Sequence, residues 1–310
     1  MQVPAHVEYE KAGSVGHALT LLARYGPTAR VLAGGHSLIP MMKLRLAQPE
    51  TLIDIGGLAE LAFVTRTDGE LRIGALTTHA KLLEAPETAS QFAILQDAER
   101  VIADPVVRLW GTVGGSVCQA DPSEDLSAAF AALRATMVIA GPEGNRSVPV
   151  RDFFTGPYET VVGSGELLTE IRLTAAPASF LAGSAYEKVG RRAGDWPIAA
   201  AGVFVSLDED RATITAAGIG LTAVGADRFC AAEAEEFLLG RLATVENVAR
   251  AGQIAAGHCR PVSDQRGPAD FKRHLAGELT VRALRRAVQR ALRQTRGSGA
   301  TGSAADGGGA

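Results

Sequence analysis

The spacing of hydrophobic positions changes along the chain, and the changes mark out its organisation. Between Ser14 and Tyr25 the residues Val15, Ala18, Leu19, Leu22 and Tyr25 recur at helical intervals, Ser14 can cap the helix, and Gly26-Pro27 stops it. Short apolar runs predict strands at 30–33 and at 51–55, which gives a β-α-β first lobe. A hairpin follows, 61–64 and 71–75, joined around Asp68-Gly69, a strong turn dipeptide. Helices are predicted over about 78–84 and 90–103. Another starts at Asp121-Pro122-Ser123-Glu124, with Asp at N-cap, Pro at N1 and Glu at N3, and runs to about Arg134. Strands near 136–140 and 166–173 close a second lobe, with a polar loop between them that contains Gly141-Pro142-Glu143-Gly144.

From Gly183 the period becomes two. Strands at about 184–189, 199–207 and 212–219 form an antiparallel meander that turns at Asp208-Glu209-Asp210, and helices follow at about 228–239, 244–257 and 269–294. Sheet first and helices after predict a separate α+β domain. In the last helix Phe271, Leu275, Val281, Leu284, Val288 and Leu292 are the expected buried side, with a solvated, arginine-rich side opposite. Gly297 to Ala310 has no core-forming residue and reads as a disordered tail.

The composition fits this division. A chain of 310 residues can hold two or three compact units. Its 46% hydrophobic and 21% charged residues are ordinary for a globular protein, and no apolar run is long enough to span a bilayer. The opening stretch Met1 to Tyr9 has neither a basic nor an apolar leader region, so a cytoplasmic location is expected. A net charge of −3 argues against a nucleic-acid partner. Cys118, Cys230 and Cys259 are scattered without a Cys-x-x-Cys pair, and three thiolates cannot supply the four ligands of an ordinary iron–sulfur cluster.

Chemistry concentrates in two glycine pairs. In Val31-Leu32-Ala33-Gly34-Gly35-His36-Ser37-Leu38 a strand runs into a tight turn and then a helix start. Gly34 and Gly35 carry no Cβ, so successive N–H groups can converge on an anion such as a pyrophosphate, while Ser37 can cap the helix. His36 reads equally as a ligand contact or as a turn residue bonded to its own loop. Thr112-Val113-Gly114-Gly115-Ser116 repeats this grammar as a second turn. A decoy lies at Gly218-Ile219-Gly220-Leu221-Thr222-Ala223, which satisfies G-x-G-x-x-A after a strand. No helix begins within it, so a Rossmann site is rejected there. Hydrolase-elbow, Walker and His-rich metal patterns are also missing from the sequence.

The block Ala33-Gly34-Gly35-His36-Ser37-Leu38-Ile39-Pro40-Met41-Met42-Lys43-Leu44-Arg45, Leu52-Ile53-Asp54-Ile55 after it, and Thr112-Val113-Gly114-Gly115-Ser116 further on resemble the FAD-binding subunits of the molybdenum hydroxylases. Within that family the likeness is to the medium subunits of aerobic carbon monoxide dehydrogenases, and it covers about residues 1–290. The resemblance implies an α+β fold. A two-lobed FAD-binding domain of the PCMH/vanillyl-alcohol-oxidase type would span 1–177, with lobes of about 1–56 and 57–177. A flavoprotein C-terminal domain, a three-stranded antiparallel sheet with a helical bundle, would span 178–294, before a tail at 295–310.

The same resemblance implies a site. Leu32 to Leu38 and Thr112 to Ser116 would hold a non-covalent FAD, although relatives often carry Asp or Asn where Ser116 stands. Asp125 matches an aspartate that bonds the FAD ribose, and Ile102 an apolar position beside the cofactor. Tyr186 and Lys188 lie on a strand that passes near the isoalloxazine ring, and their alternation around Glu187 puts both on one face. Without the family, Tyr186 reads as a core tyrosine, Ile102 as a helix core residue and Asp125 as a complement to the helix dipole.

The implied role is electron transfer. A large molybdopterin subunit oxidises the substrate, a small subunit relays electrons through [2Fe-2S] clusters, and this chain delivers them to an external acceptor. The implied assembly is a dimer of heterotrimers, in the cytoplasm or held at the inner face of the membrane through the complex. The substrate would be carbon monoxide. The alternatives are an aldehyde, a xanthine or an N-heterocycle, or a flavin-free assembly scaffold. No residue of this chain is expected to act on the substrate itself.

Overall fold

The computed structural model describes residues 3–177 and 180–293. The tail expected to be disordered lies outside the described residues. The chain opens with β1 (Glu8–Lys11), α1 (Val15–Tyr25), β2 (Ala29–Leu32), α2 (Leu38–Lys43) and β3 (Thr51–Asp54). The strands form a parallel sheet in the order β1-β3-β2. Ser14 caps α1 by accepting from the His17 N–H at 3.1 Å, as its position suggested. Strand β1 was not anticipated, because Glu8, Glu10 and Lys11 give it no apolar period and it lies at a sheet edge. Ala18, Leu21, Leu22, Ile53 and Ile55 form the core beneath this sheet.

Next come β4 (Val64–Thr67), β5 (Glu70–Gly74), α3 (His79–Glu84), α4 (Ala93–Val101), α5 (Pro105–Trp110), α6 (Val113–Gln119) and α7 (Asp125–Ala132). They are followed by β6 (Thr136–Gly141), β7 (Gly144–Pro149), α8 (Val150–Phe153), β8 (Phe154–Gly156), β9 (Glu159–Thr160) and β10 (Leu167–Thr174). The main sheet is antiparallel in the order β4-β5-β10-β6-β7. Asp68 and Gly69 both have positive φ, 51° and 79°, as a tight hairpin turn demands. The first hairpin strand begins at Val64 rather than Leu61, since Leu61 is the buried last residue of a 3-10 turn. The expected polar loop after 140 is a hairpin into β7, whose polar, mostly exposed residues gave no strand signal. Helix α7 starts later than expected. Glu124 is its N-cap and accepts from the N–H groups of Leu126 and Ser127, while Asp121 instead accepts from the Ser123 N–H.

The remaining chain forms β11 (Leu181–Gly190), β12 (Pro197–Leu207), β13 (Ile214–Thr222), α9 (Ala232–Leu238), α10 (Val245–His258) and α11 (Ala269–Arg293). The strands make the expected meander, β11-β12-β13, covered by helices on both faces. The rejected Rossmann-like glycines lie inside β13. A Cβ on Gly218 would stand 1.9 Å from the Ala132 carbonyl oxygen, and one on Gly220 1.8 Å from that of Ala128, so they let α7 rest on the sheet. Gly183 does the same for α11, where a Cβ would meet the Ala287 carbonyl at 2.1 Å.

That close approach adjusts the expected face of the last helix, on which Leu284 is buried and Leu275, Val281 and Val288 pack against the core. Ala276, Leu279, Ala283, Leu284, Ala287 and Ala291 are its buried side, whereas Phe271 and Leu292 are exposed. Nor are its arginines all solvated. Arg286 and Arg290 reach Asp97 on α4 and the carbonyls of Tyr186 and Ser184, closing the edge of β11.

Candidate functional site

A cleft of about 1260 Å³ opens between the parallel sheet and the segment from Gly111 to Asp125. Its floor is the first glycine pair. After β2 the backbone turns at Gly35 with φ +75°, a conformation that favours glycine, and the Gly35 carbonyl accepts from Ile39 N–H at 3.0 Å to start α2. Among the described residues, none accepts from the N–H groups of Gly34, Gly35, His36 or Ser37. Four neighbouring donors therefore remain available to a ligand. Ser37 does not cap α2 through its side chain, and its backbone is already helical, so the capping role is withdrawn. The His36 side chain is exposed, and among the described residues it makes no hydrogen bond to its own loop.

The second glycine pair is built differently. It is the first turn of α6 rather than a loop, with Thr112 as N-cap accepting from the Gly115 N–H at 3.2 Å. The N–H groups of Val113, Gly114 and Ser116 go to the carbonyls of Thr77, Ala75 and Thr112. This pair thus offers no spare amides, contrary to the design read from sequence. What it contributes is closeness and side chains. A Cβ on Gly34 would lie 2.1 Å from the Trp110 carbonyl and 2.9 Å from the Gly111 Cα, and one on Gly115 would lie 3.8 Å from the Ala33 Cβ. The two pairs therefore meet across one cleft.

Asp125, at the start of α7, is buried and takes hydrogen bonds from the Tyr186 hydroxyl at 2.7 Å and the Lys188 ammonium at 2.8 Å. Burial pushes Asp125 up to about 6, against the pull of Lys188 and Tyr186. Burial, reinforced by Asp125, also raises the Tyr186 phenol well above its ordinary value. Beside them Ser116 donates to Glu124 at 2.9 Å, which ties α6 to the cap of α7.

Leu32, Ala33, Gly34, Gly35, His36, Ser37 and Leu38 all line the cleft. So do Ile102, Thr112, Gly114, Gly115, Ser116, Asp125 and Lys188. Ile102, the C-cap residue that ends α4, also belongs to the core behind the cleft. Val113 and Tyr186 are not brought to the surface of the cleft. Val113 is fully buried, and Tyr186 packs in the core and reaches the site only through Asp125. Sequence reasoning missed His79, a cleft residue whose Nδ1 lies 3.0 Å from Glu99. The available signal was an acid and a histidine on otherwise apolar helix faces, 20 residues apart.

The domain described as the FAD binding domain in molybdopterin dehydrogenase matches residues 5–175, and the CO dehydrogenase flavoprotein C-terminal domain matches 184–287. The chain belongs to the FAD-binding subunits of the molybdopterin dehydrogenases. It is 40% identical over 288 residues to the carbon monoxide dehydrogenase medium chain of Hydrogenophaga pseudoflava, covering 93% of this chain and 99% of that one. It is 34% identical over 282 residues to the glyceraldehyde dehydrogenase medium chain of Sulfolobus acidocaldarius, with 91% and 98% covered. A solved structure of the H. pseudoflava carbon monoxide dehydrogenase, in a form lacking the Mo-pyranopterin moiety, superimposes with a TM-score of 0.88 at 41% identity, covering 93% of this chain and 99% of that one.

Proposed function

We propose that the cleft holds FAD non-covalently and that this chain passes electrons from the [2Fe-2S] clusters of a small subunit to an external acceptor. In this reading a large molybdopterin subunit oxidises carbon monoxide, and two heterotrimers assemble in the cytoplasm. FAD, when bound, accepts electrons singly and releases them singly or in pairs. The FAD-binding domain spans 1–177 and the C-terminal domain 178–294.

The observation that carries the proposal is the run of four unengaged N–H groups from Gly34 to Ser37, in residues that line a cleft against which Gly111 is packed without a side chain. Such a run suits an anionic bridge between two nucleotides. The cleft volume of about 1260 Å³ exceeds that of most small-molecule sites, as an extended dinucleotide requires. Asp125, fixed by Tyr186 and Lys188, presents a carboxyl edge for sugar hydroxyls. Leu32, Ala33 and Ile102 give apolar wall that excludes water. Among the described residues no helix is long and apolar enough to cross a membrane, so attachment to a membrane would run through the partners.

The likeness to the glyceraldehyde dehydrogenase medium chain supports a second reading, the same subunit in a complex that acts on an aldehyde, xanthine or N-heterocycle. Both readings need the same cleft. A flavin-free scaffold does not, and a visible spectrum of the purified chain with added FAD separates them. Retained flavin is expected. Gly35→Trp should abolish retention while circular dichroism is unchanged, because φ is +75° there and a side chain meets Ile39 at 2.9 Å. A wild-type chain that leaves all flavin free would overturn the proposal.

A further inference from the structure

Below the glycine pairs lies a buried dyad that the proposed role of the cleft does not yet use. His79 is the first residue of α3 and Glu99 lies on α4; they are 4% and 0% exposed. Both carboxylate oxygens of Glu99 approach His79 Nδ1, at 3.0 and 3.1 Å. The other nitrogen, Nε2, has no protein partner among the described residues. Yet no described buried side-chain nitrogen or oxygen is both fully enclosed and unpartnered. The small exposed part of His79 therefore includes Nε2, and the residue lines the cleft. Its ring edge packs on Gly111, where a Cβ would stand 2.9 Å from Cδ2, and Gly111 in turn packs on Gly34.

We infer that the His79–Glu99 dyad is a further binding element of this cleft, presenting Nε2–H as a donor to an anionic oxygen of the bound dinucleotide. The inference rests on the cleft being the FAD site. The chemistry of the pair gives the donor. With one proton shared between Nδ1 and the carboxylate, the pair is either imidazolium–carboxylate or imidazole–carboxylic acid. In both forms Nε2 carries a hydrogen. When that proton leaves, Nδ1–H stays with Glu99, Nε2 becomes an acceptor, and the pair gains a negative charge beside an anion.

The surroundings hold the proton on. Burial lowers His79, but the charge and hydrogen bond of Glu99 outweigh it, so the histidine is raised; burial raises Glu99. Glu124 and Asp125, at the start of α7, act in the same direction on both. The nearby cations are otherwise engaged. Arg108 on α5 bonds the carbonyls of Ile102 and Ala103, Lys81 on α3 bonds Ala62, and Lys188 bonds Asp125 and Val101.

The test is FAD affinity of the full chain, followed by flavin fluorescence between about pH 6 and pH 9. Wild type should bind more weakly as pH rises. His79→Gln should bind about tenfold more weakly at the acid end and show a flat profile. Glu99→Gln removes the counter-charge, so its loss of affinity should begin at lower pH than in wild type. Wild-type affinity and profile in His79→Gln would overturn the inference and leave the cleft as the flavin site. If His79→Gln does not fold, an unshifted profile in Glu99→Gln overturns it instead. A wild-type chain that binds no FAD at any pH overturns the underlying assignment.

Discussion

Gly34-Gly35 and Gly114-Gly115 look alike in sequence, each with a serine within two positions, yet they solve different problems. The first pair sits in a loop, where positive φ at Gly35 leaves four consecutive amides without a protein acceptor. The second sits in a helix, where every amide from Val113 to Ser116 is engaged. Its glycines allow contact instead. A Cβ on Gly114 would lie 2.6 Å from the Ala75 Cβ, so a side chain there would push α6 off the strand end. One region supplies donors; the other supplies proximity and a side-chain network of Thr112, Ser116, Glu124 and Asp125. A glycine pair alone therefore does not report an anion site, and the fate of its N–H groups does.

If the second region works through side chains, removing one should cost more stability than disturbing the first loop. The largest loss is expected from Asp125→Ala, which leaves Lys188, only 6% exposed, without its carboxylate and Tyr186 without its acceptor. Breaking a buried pair from one side costs about 3–5 kcal/mol. The unfolding midpoint in urea should fall accordingly, and a fall smaller than that of the next variant would reverse the comparison. Gly34→Ala comes second. Its methyl would be 2.1 Å from the Trp110 carbonyl, and the loop must shift at a cost of about 1–3 kcal/mol. Because the shift carries the free amides with it, flavin absorbance of the purified variant should vanish although the fold persists. Flavin retained in Gly34→Ala would show that the donors of the first pair are not used.

The contrast also shows how far a sequence can be read. Helices α1 and α10 were legible within a few residues because one buried face repeats at helical spacing, and β12 because it is a continuous apolar run buried on both faces. Strands β1 and β7 were not, because they are polar edge strands whose pairing is decided by backbone groups. Helices α5 and α6 were hidden by their length and by Gly-Gly, a turn signal that tight packing overrides. In α11 the expected face held at Leu284 but not at its ends, where Phe271 and Leu292 are exposed, because the helix rests on Gly183 through Ala287 and Ala291. At the site, the common face of Tyr186 and Lys188 follows from alternation alone. Their shared partner Asp125 lies 61 and 63 residues away, and His79 finds Glu99 across two helices; such pairings are properties of the fold.

The smallest effect should come from Thr112→Ala, and it probes the comparison most directly. Thr112 Oγ1 caps α6 by accepting from Gly115 N–H at 3.2 Å, and loss of such a cap costs about 1 kcal/mol. The variant frees one amide at the second pair while leaving the four at the first untouched. If binding depends on the first loop, FAD affinity should fall far less than in Gly34→Ala, and Thr112→Ser, which keeps the hydroxyl, should match wild type in both melting and affinity. Complete flavin loss in Thr112→Ala with an unchanged melt would mean that the hydroxyl contacts the cofactor as strongly as the amide run does. The two glycine pairs would then be equal partners in one cradle, and the division of labour argued from their N–H groups would fail.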